Sequence, residues 1–478
     1  MQSYTVETMP YDTREQALHI LYRVETGQAF ATRLLDGERA RAGDDMAFLE
    51  QLVKGTLDWR GRLDSILDGV VSGGSARLTP WIRNILRLAA YQILYLDRVP
   101  PEIAVHQAVE AAKRHGHRGT AGLVNAVLRS LVRQMQEGGL TRFAASTDDP
   151  ASIAAAYSHP QWLVERWISQ IGVAETVALC AADNHAWPVC LRTNTLRINT
   201  PDLRACLETE GVAVRAARFH DDCTLVDKLP RGVRLHDLAA YQEGLFAVQD
   251  ESSAFVALVV DPQPGETVVD LCSAPGGKTM HLVALMKNEG RIIAVDPHPG
   301  KLGLVEENAA RLGATIVETR AEDGRTITLL EQADRVLVDT PCSGLGALGR
   351  HSDARWNKAA DDLAGLGVLQ QQLLHHAASL VKPGGRLVYS TCSIDADENE
   401  GAVAAFLETH PEYVRQAAPA SIPAPLTMDG MLRTWPQRHD MGGAFGAVMM
   451  RRRASPLDNS HDDATPDASA QEEAPASL

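Results

Sequence analysis

A chain of 478 residues is too long for one ordinary core and, at about 150 residues per domain, should hold three units. With a hydrophobic share of 45%, no apolar run near the roughly 18 residues of a spanning helix, and no signal-peptide pattern at the start, it is expected to be a globular cytoplasmic protein without membrane contact. The formal net charge of −15 weighs against a nucleic-acid partner unless the charge is unevenly spread, since phosphate binding depends on Lys and Arg releasing counterions.

Residues 1–144 read as helices throughout. Over 81–96, Trp81, Ile82, Ile85, Leu86, Ala89, Ile93 and Leu94 recur at helical spacing. Pro100 and Pro101 then break the chain. A following helix carries Val105, Ala108, Val109 and Ala112, and another over 123–135 carries Leu123, Val124, Val127, Leu128, Leu131 and Val132. An all-helical bundle is the expected outcome. The charge is indeed uneven: residues 77–133 hold Arg77, Arg83, Arg87, Arg98, Lys113, Arg114, Arg118, Arg129 and Arg133 against Asp97, Glu102 and Glu110. This stretch is either a face for RNA or a solvated helical surface.

Residues 145–245 are mixed and predict a small α/β linker subdomain, with helices over 162–170 and 201–210 and a strand over 189–197. Residues 246–454 change character. Apolar, β-rich runs at 267–271, 291–296, 315–320, 335–339 and 386–390 alternate with helical stretches, which predicts a mostly parallel sheet covered on both faces, and 446–451 closes it as a final antiparallel strand. Residues 455–478 contain Asp458, Asp462, Asp463, Asp467, Glu472 and Glu473 without any Lys or Arg, and are expected to be a disordered acidic tail.

Seven cysteines, an odd number with no Cys-x-x-Cys pair, predict neither a disulfide framework nor a zinc site. His115, His117, His375 and His376 lack a carboxylate or thiolate at ligand spacing and read as helix-end or surface residues, so no metal is expected.

The chemistry concentrates at strand ends. The string VVDLCSAPGGKT, 268–279, is a strand running into a Pro-Gly-Gly turn before a helix, where small residues let the backbone approach a cofactor. RIIAVD, 291–296, ends in Asp296, placed to accept hydrogen bonds from ribose hydroxyls or simply to cap the strand. A nicotinamide cofactor fits this much equally well. Two cysteines separate the options. Asp339-Thr340-Pro341-Cys342-Ser343 follows the fourth strand and Tyr389-Ser390-Thr391-Cys392-Ser393 the fifth, so both thiols reach the cofactor crevice. Methylation of carbon 5 of a pyrimidine uses such a pair, because that carbon is a poor nucleophile until a thiolate adds at carbon 6.

The strings DLCSAPGGKT, VDTPCSGLGALGR and YSTCSIDADENE resemble the motifs of RNA (cytosine-5) methyltransferases of the Sun or Fmu type, which act on small-subunit ribosomal RNA. LRTNTLRI and VQDESSAFVA resemble weaker family segments, and the helical front third resembles the NusB-like RNA-binding domain of this subgroup. The resemblance implies a class I methyltransferase fold preceded by a NusB-like domain, S-adenosyl-L-methionine as cofactor, 16S rRNA as partner, and a monomer. It implies further that Cys272, Ser273, Ala274, Pro275, Gly276, Gly277 and Lys278 line the cofactor and that Asp296 holds its ribose. Asp323 would lie near the adenine and Asp339 at the junction of cofactor and base. Cys392 would be the nucleophile, with Cys342 assisting product release.

A catalytically weak RNA-binding or assembly factor, a tRNA enzyme of the same family and an exocyclic-amine methyltransferase are the alternatives. The last of these needs a second proline and an aromatic where Cys342 and Ser343 stand. The chain departs from the family pattern at Gly349, where a basic residue is common, and at HDMGGAF, 439–445, where Asp-Gly-Phe-Phe is usual.

Overall fold

The computed structural model describes residues 11–27, 29–138, 149–185 and 187–453, so the acidic tail expected at 455–478 and the first ten residues lie outside the described residues. Seven helices come first: α1 (Thr13–Gly27), α2 (Ala31–Ala42), α3 (Met46–Asp58), α4 (Arg60–Asp68), α5 (Pro80–Tyr95), α6 (Pro101–His115) and α7 (Arg118–Gln136). Pro80 and Pro101 each open a helix at the position where a missing N–H costs nothing. Ile82, Ile85, Leu86, Ala89 and Ile93 of α5 are buried at the predicted spacing and share one core with Leu18, Leu21, Leu49, Leu52, Val124, Leu128 and Leu131.

The basic stretch does not form one surface. Arg87 is almost fully buried and donates to both oxygens of Asp64 at 2.6 and 2.7 Å and to Glu25 at 3.0 Å, while Arg83 also pairs with Glu25 at 2.9 Å. Arg77, Arg98, Lys113, Arg114, Arg129 and Arg133 remain exposed.

The middle of the chain folds as α8 (Pro150–Tyr157), α9 (Gln161–Asp183), β1 (Val189–Thr193), α10 (Thr200–Thr209), β2 (Ala213–Ala216), β3 (Cys223–Lys228), α11 (Ala239–Gln242) and β4 (Phe246–Val248). Gly172 kinks α9 at φ 79°. The four strands pair antiparallel in the order β2-β3-β1-β4. β1 stops at Thr193, short of the predicted 197, because the Asn194 side chain leaves the ladder to donate to the carbonyls of Gly244 and Leu312 at 2.8 and 2.9 Å.

The remainder is α12 (Glu251–Val260), β5 (Thr267–Leu271), α13 (Gly277–Leu285), β6 (Arg291–Val295), α14 (Pro299–Leu312), β7 (Val317–Arg320), β8 (Ala333–Asp339), α15 (Ala360–Leu380), β9 (Val381–Thr391), α16 (Ala402–Thr409), β10 (Tyr413–Gln416), β11 (Thr427–Met428), β12 (Met431–Arg433), α17 (Pro436–His439) and β13 (Phe445–Arg451). The sheet runs β11-β12-β13-β9-β8-β5-β6-β7, with β10 also on β13. β5 to β9 are parallel and β13 pairs antiparallel with β9, as in class I methyltransferases.

Burial on both faces explains the continuous apolar runs. Val269, Leu271, Val336, Val338, Leu387 and Tyr389 enter a core beneath α15 and α16, while the alternate residues Val268, Leu337 and Val388 enter another beneath α12 and α13. The strand order reverses beside β5, which opens a crevice at the carboxyl ends of β5, β8 and β9.

The helical unit docks on the segment that follows the β8 loop. Ala31 N donates to Asp353 at 3.0 Å, the Trp356 indole donates to Leu57 O at 3.2 Å, and a Cβ on Gly61 would meet the Trp356 ring at 2.6 Å. Among the described residues no helix is long and apolar enough to cross a membrane.

Burial pushes the Glu25 carboxyl up, but Arg87, Arg83 and Arg60 outweigh it and hold it below its ordinary value. The stabilisation from this group is therefore complete at neutral pH and is lost as pH falls through the depressed value. Arg87→Ala strands Asp64 and removes one of the arginines around Glu25, and should destabilise the helical unit by about 3 kcal/mol, read as a lower urea midpoint by far-UV circular dichroism. An unchanged midpoint would mean that solvent already satisfies both acids.

Candidate active site

The turn after β5 is shaped for close approach. Cys272 adopts φ 62° and Gly276 φ 98°, and a Cβ on Gly276 would press to 3.2 Å from the Val305 backbone. Ser273 is tied down through N–H and hydroxyl contacts to Val295 O at 2.9 and 3.3 Å, and Asn308 donates to Pro275 O at 3.2 Å. Ala274 packs beside Leu302 and Val305. Gly277 has only Gln249 near the position of a Cβ.

Carboxylates gather around this turn. Burial pushes the Cys272 thiol up to about 12, with Asp339, Asp270, Asp296 and Asp323 adding to the rise. Asp270 is fully buried, accepts from Thr279 Oγ1 at 2.6 Å and leaves its Oδ1 unpartnered. Burial pushes its carboxyl up to about 7. Asp296, also buried, accepts from His298 N–H at 2.9 Å. Asp323 is clasped by the Arg325 side chain at 2.6 Å and its backbone N–H at 2.9 Å, contacts that bring its carboxyl to about 2.

The loops after β8 and β9 bring Asp339, Cys342 and Cys392 together with Lys278. Lys278 Nζ donates to Asp339 Oδ2 at 2.7 Å, and Ser390 Oγ donates to Oδ1 at 2.9 Å. Burial opposes the Lys278 charge, yet Asp339 outweighs it and holds the ammonium above its ordinary value. The Cys342 and Cys392 sulfurs lie 3.2 Å apart as free thiols, and Cys392 is exposed. Their protonation is unequal. A hydrogen bond from Cys342 and the nearby Lys278 charge pull the Cys392 thiol down against its desolvation, whereas the same hydrogen bond, burial and the Cys392 charge push Cys342 far up. Cys392 is thus the more readily ionised thiol of the pair, as suits nucleophilic attack.

Residues that motif reading did not single out hold this geometry. The buried Glu398 carboxylate accepts from Ser343 N–H at 2.8 Å and Gln370 at 3.0 Å, and also from the Ser343 hydroxyl. Ser343 Oγ and Ser393 Oγ are 3.0 Å apart, and Asn399 bridges Thr391 and Ser393 at 2.6 and 2.9 Å. Arg166 of α9 clamps Asp395 and Asp397 of the same loop, the latter at 2.7 Å. Glu398 and Asn399 stand inside the DADENE string, so a polar pair shortly after Cys392 was the available signal.

Both departures from the family pattern have a structural cause. A Cβ on Gly349 would lie 2.7 Å from the Trp187 ring, leaving no room for a basic side chain, and Arg350 is engaged by Asp250 at 2.6 Å. In HDMGGAF, Gly443 N donates to Gly346 O at 2.7 Å, with backbones so close that a Cβ on Gly346 would meet Gly443 O at 2.3 Å.

Of the four histidines weighed as ligands, His115 is drawn with His19 toward Glu15, whose other oxygen takes Arg114 at 2.6 Å. These three residues lie close enough to hold a cation, a grouping that linear spacing concealed because His115 is 100 residues from Glu15.

Three family models match the chain: the NusB family over residues 11–133, a ferredoxin-like domain of RsmF/B-like methyltransferases over 159–231, and 16S rRNA methyltransferase RsmB/F over 257–450. A Bacillus subtilis protein named probable ribosomal RNA small subunit methyltransferase B is 36% identical over 92% of this chain and 98% of its own length. A Klebsiella pneumoniae protein named ribosomal RNA small subunit methyltransferase B is 32% identical over 90% and 96%. The crystal structure of PH0851 superposes with a TM-score of 0.75 at 29% identity, covering 92% of this chain and 99% of that one.

The thiol pair makes a direct prediction. Iodoacetamide should label Cys392 ahead of the other cysteines, with a pH midpoint below the ordinary thiol value of about 8.5. Cys342→Ala removes the S–H donor and should move that midpoint upward, as followed by peptide mass spectrometry. Identical midpoints in parent and variant would dismiss the hydrogen bond as the cause.

Proposed function

This chain belongs to the 16S rRNA methyltransferase RsmB/F family, and from that premise we propose that it methylates carbon 5 of a cytosine in 16S rRNA, using S-adenosylmethionine and a covalent bond from Cys392 to the base. The observation that carries this reading is the pair of sulfurs 3.2 Å apart beside the Lys278–Asp339 ion pair, with Cys392 the more readily ionised of the two.

The residues present suit the cofactor. Four carboxylates around Cys272 favour a ligand bearing sulfonium and ammonium charges, and the bare turn at Gly276 and Gly277 leaves room for it. When bound, S-adenosylmethionine supplies an electrophilic methyl group. The chain's own residues prepare the acceptor. Cys392 thiolate adds at carbon 6, and the displaced electron pair moves toward carbon 5 and ring nitrogen 3. The Lys278–Asp339 pair can pass a proton to that nitrogen as charge builds. Carbon 5 then takes the methyl group.

Afterwards a base must remove the carbon 5 proton, so that the double bond reforms and expels Cys392 as thiolate. Cys342 fits this later role. While Cys392 is anionic it keeps the Cys342 proton in place, but once its sulfur is bonded to carbon that charge is gone. Burial and Glu398 still hold Cys342 up, but it can now give its proton to water and, as thiolate, take the carbon 5 proton. Its change of role is thus tied to formation of the adduct. The exposed Arg77, Arg98, Arg129 and Arg133 are the part of the basic stretch available to RNA phosphates.

Incubated with 16S rRNA and S-adenosylmethionine, Cys342→Ala should transfer the methyl group and stall, leaving an RNA–protein complex that survives denaturing electrophoresis. Cys392→Ala should form no complex and add no methyl group detectable by bisulfite sequencing. A trapped complex in Cys392→Ala, absent in Cys342→Ala, would exchange the two roles. Asp296→Ala should weaken S-adenosylmethionine binding at least about tenfold by calorimetry, since each charge-assisted hydrogen bond contributes about 1.5 to 3 kcal/mol. Unchanged affinity would remove Asp296 from the cofactor site.

A further inference from the structure

A cleft of about 280 Å³ opens between the four-stranded sheet and the loop leading into β13, lined by Trp187, Arg215, Arg218, Glu251, His439 and Asp440 among others. Trp187 is pinned from behind. Gly349 lies against its ring, its indole N–H donates to Ala182 O at 3.1 Å, and the Arg350 guanidinium is 5.8 Å from its centroid. The half-buried ring also lines the cleft, so it presents a fixed aromatic surface there.

Two arginines and two acids line the cleft, and they differ in how far they are engaged. Arg218 is exposed, sits 4.8 Å over the Phe219 ring and makes no ion pair among the described residues. Arg215 is tied only to the exposed Asp227 at 2.9 Å. Glu251 is occupied by the N–H groups of Phe219 and His220 at 2.7 and 2.9 Å, and burial pushes its carboxyl above its ordinary value. Asp440 is the exposed acid at this wall and can accept from amino groups.

The cleft is joined to the nucleophile by backbone. Gly442 N donates to Asp250 at 3.2 Å, Gly443 N donates to Gly346 O at 2.7 Å, and Gly346 N donates to the Cys392 carbonyl at 2.9 Å. A rigid aromatic plane beside an unpaired guanidinium, with a second held only by an exposed acid, is a pattern that takes unpaired nucleotides, the ring stacking on a base and the arginines gripping phosphate.

We propose that this cleft is a subsite for one unpaired ribonucleotide flanking the target cytosine, its base stacked on Trp187 and its phosphate held by Arg218 with Arg215. The inference rests on the RNA-methylating reading above. It gives a use to the unusual HDMGGAF loop, whose His439 and Asp440 form one wall, and to Gly349, whose lack of a side chain lets Trp187 take its position.

The test uses the full chain with deproteinised 16S rRNA and methyl-labelled S-adenosylmethionine. Arg218→Ala and Trp187→Ala should each raise KM for rRNA about tenfold, in line with the loss of one base stack or phosphate contact, with kcat within about twofold. Trp187→Phe, which keeps an aromatic plane, should restore most of the loss. Arg218→Ala should also flatten the dependence of log KM on log salt by about 0.7, the share of one phosphate contact on a single strand. Because Arg218 is exposed, its melting temperature and cofactor affinity should match the parent's. If the parent methylates rRNA while both alanine variants keep its KM and salt slope, the cleft holds no RNA and only this inference falls. If the parent itself leaves rRNA unmethylated, the functional reading falls and takes the subsite with it.

Discussion

The buried carboxylate of Glu398 is the tie on which the catalytic edge depends. Two parallel strands, β8 and β9, end side by side, but adjacency alone leaves their loops free to splay. Glu398 accepts from the backbone and hydroxyl of Ser343 in one loop while its own carbonyl takes the Tyr389 hydroxyl at 2.6 Å in the neighbouring strand. The Ser343–Ser393 contact and the Asn399 bridge complete the clasp. With both loops held, the sulfurs of Cys342 and Cys392 come within 3.2 Å, which makes their proton a shared property rather than two separate ones.

Electrostatics then assigns the roles. The crevice is rich in acids, and a thiol placed among them, as Cys272 is, becomes harder to ionise. Cys392 escapes that fate because a hydrogen bond from Cys342 and the Lys278 charge both favour its anion. Lys278 is in turn kept charged in its buried position by Asp339. One ammonium therefore serves both the Asp339 carboxylate and the Cys392 sulfur, and Ser390 fixes the second oxygen of Asp339 so that the arrangement does not rotate away.

The rest of the molecule braces this edge from outside. Arg166, from the helix preceding the four-stranded sheet, grips the acids just beyond Cys392, and Asp353 and Trp356, beyond Cys342, anchor the helical unit. Each catalytic loop is thus continuous with a segment that contacts another part of the chain. A shift of either part is therefore felt at the thiols through the same backbone.

The class I sheet, the helical unit before it, and the arrival of Asp339, Cys342 and Cys392 at one crevice were all legible in the chain, because apolar period and chain order decide which strand ends face the same side of a doubly wound sheet. The seven helices of the first part were equally legible as helices, since their buried residues recur at helical spacing. What tertiary structure alone decided is who meets whom across long separations. Arg87 reads as one more surface cation until Glu25 and Asp64, distant in sequence, enclose it. Gly349 reads as a lost charge until Trp187 is seen to fill the space. The lowered pKa of Cys392 depends on a sulfur 50 residues away and an ammonium on another strand's turn. Local pattern carries no record of such pairings, because the energy of a hydrogen bond or an ion pair depends on distance and burial, and neither exists before the chain has folded.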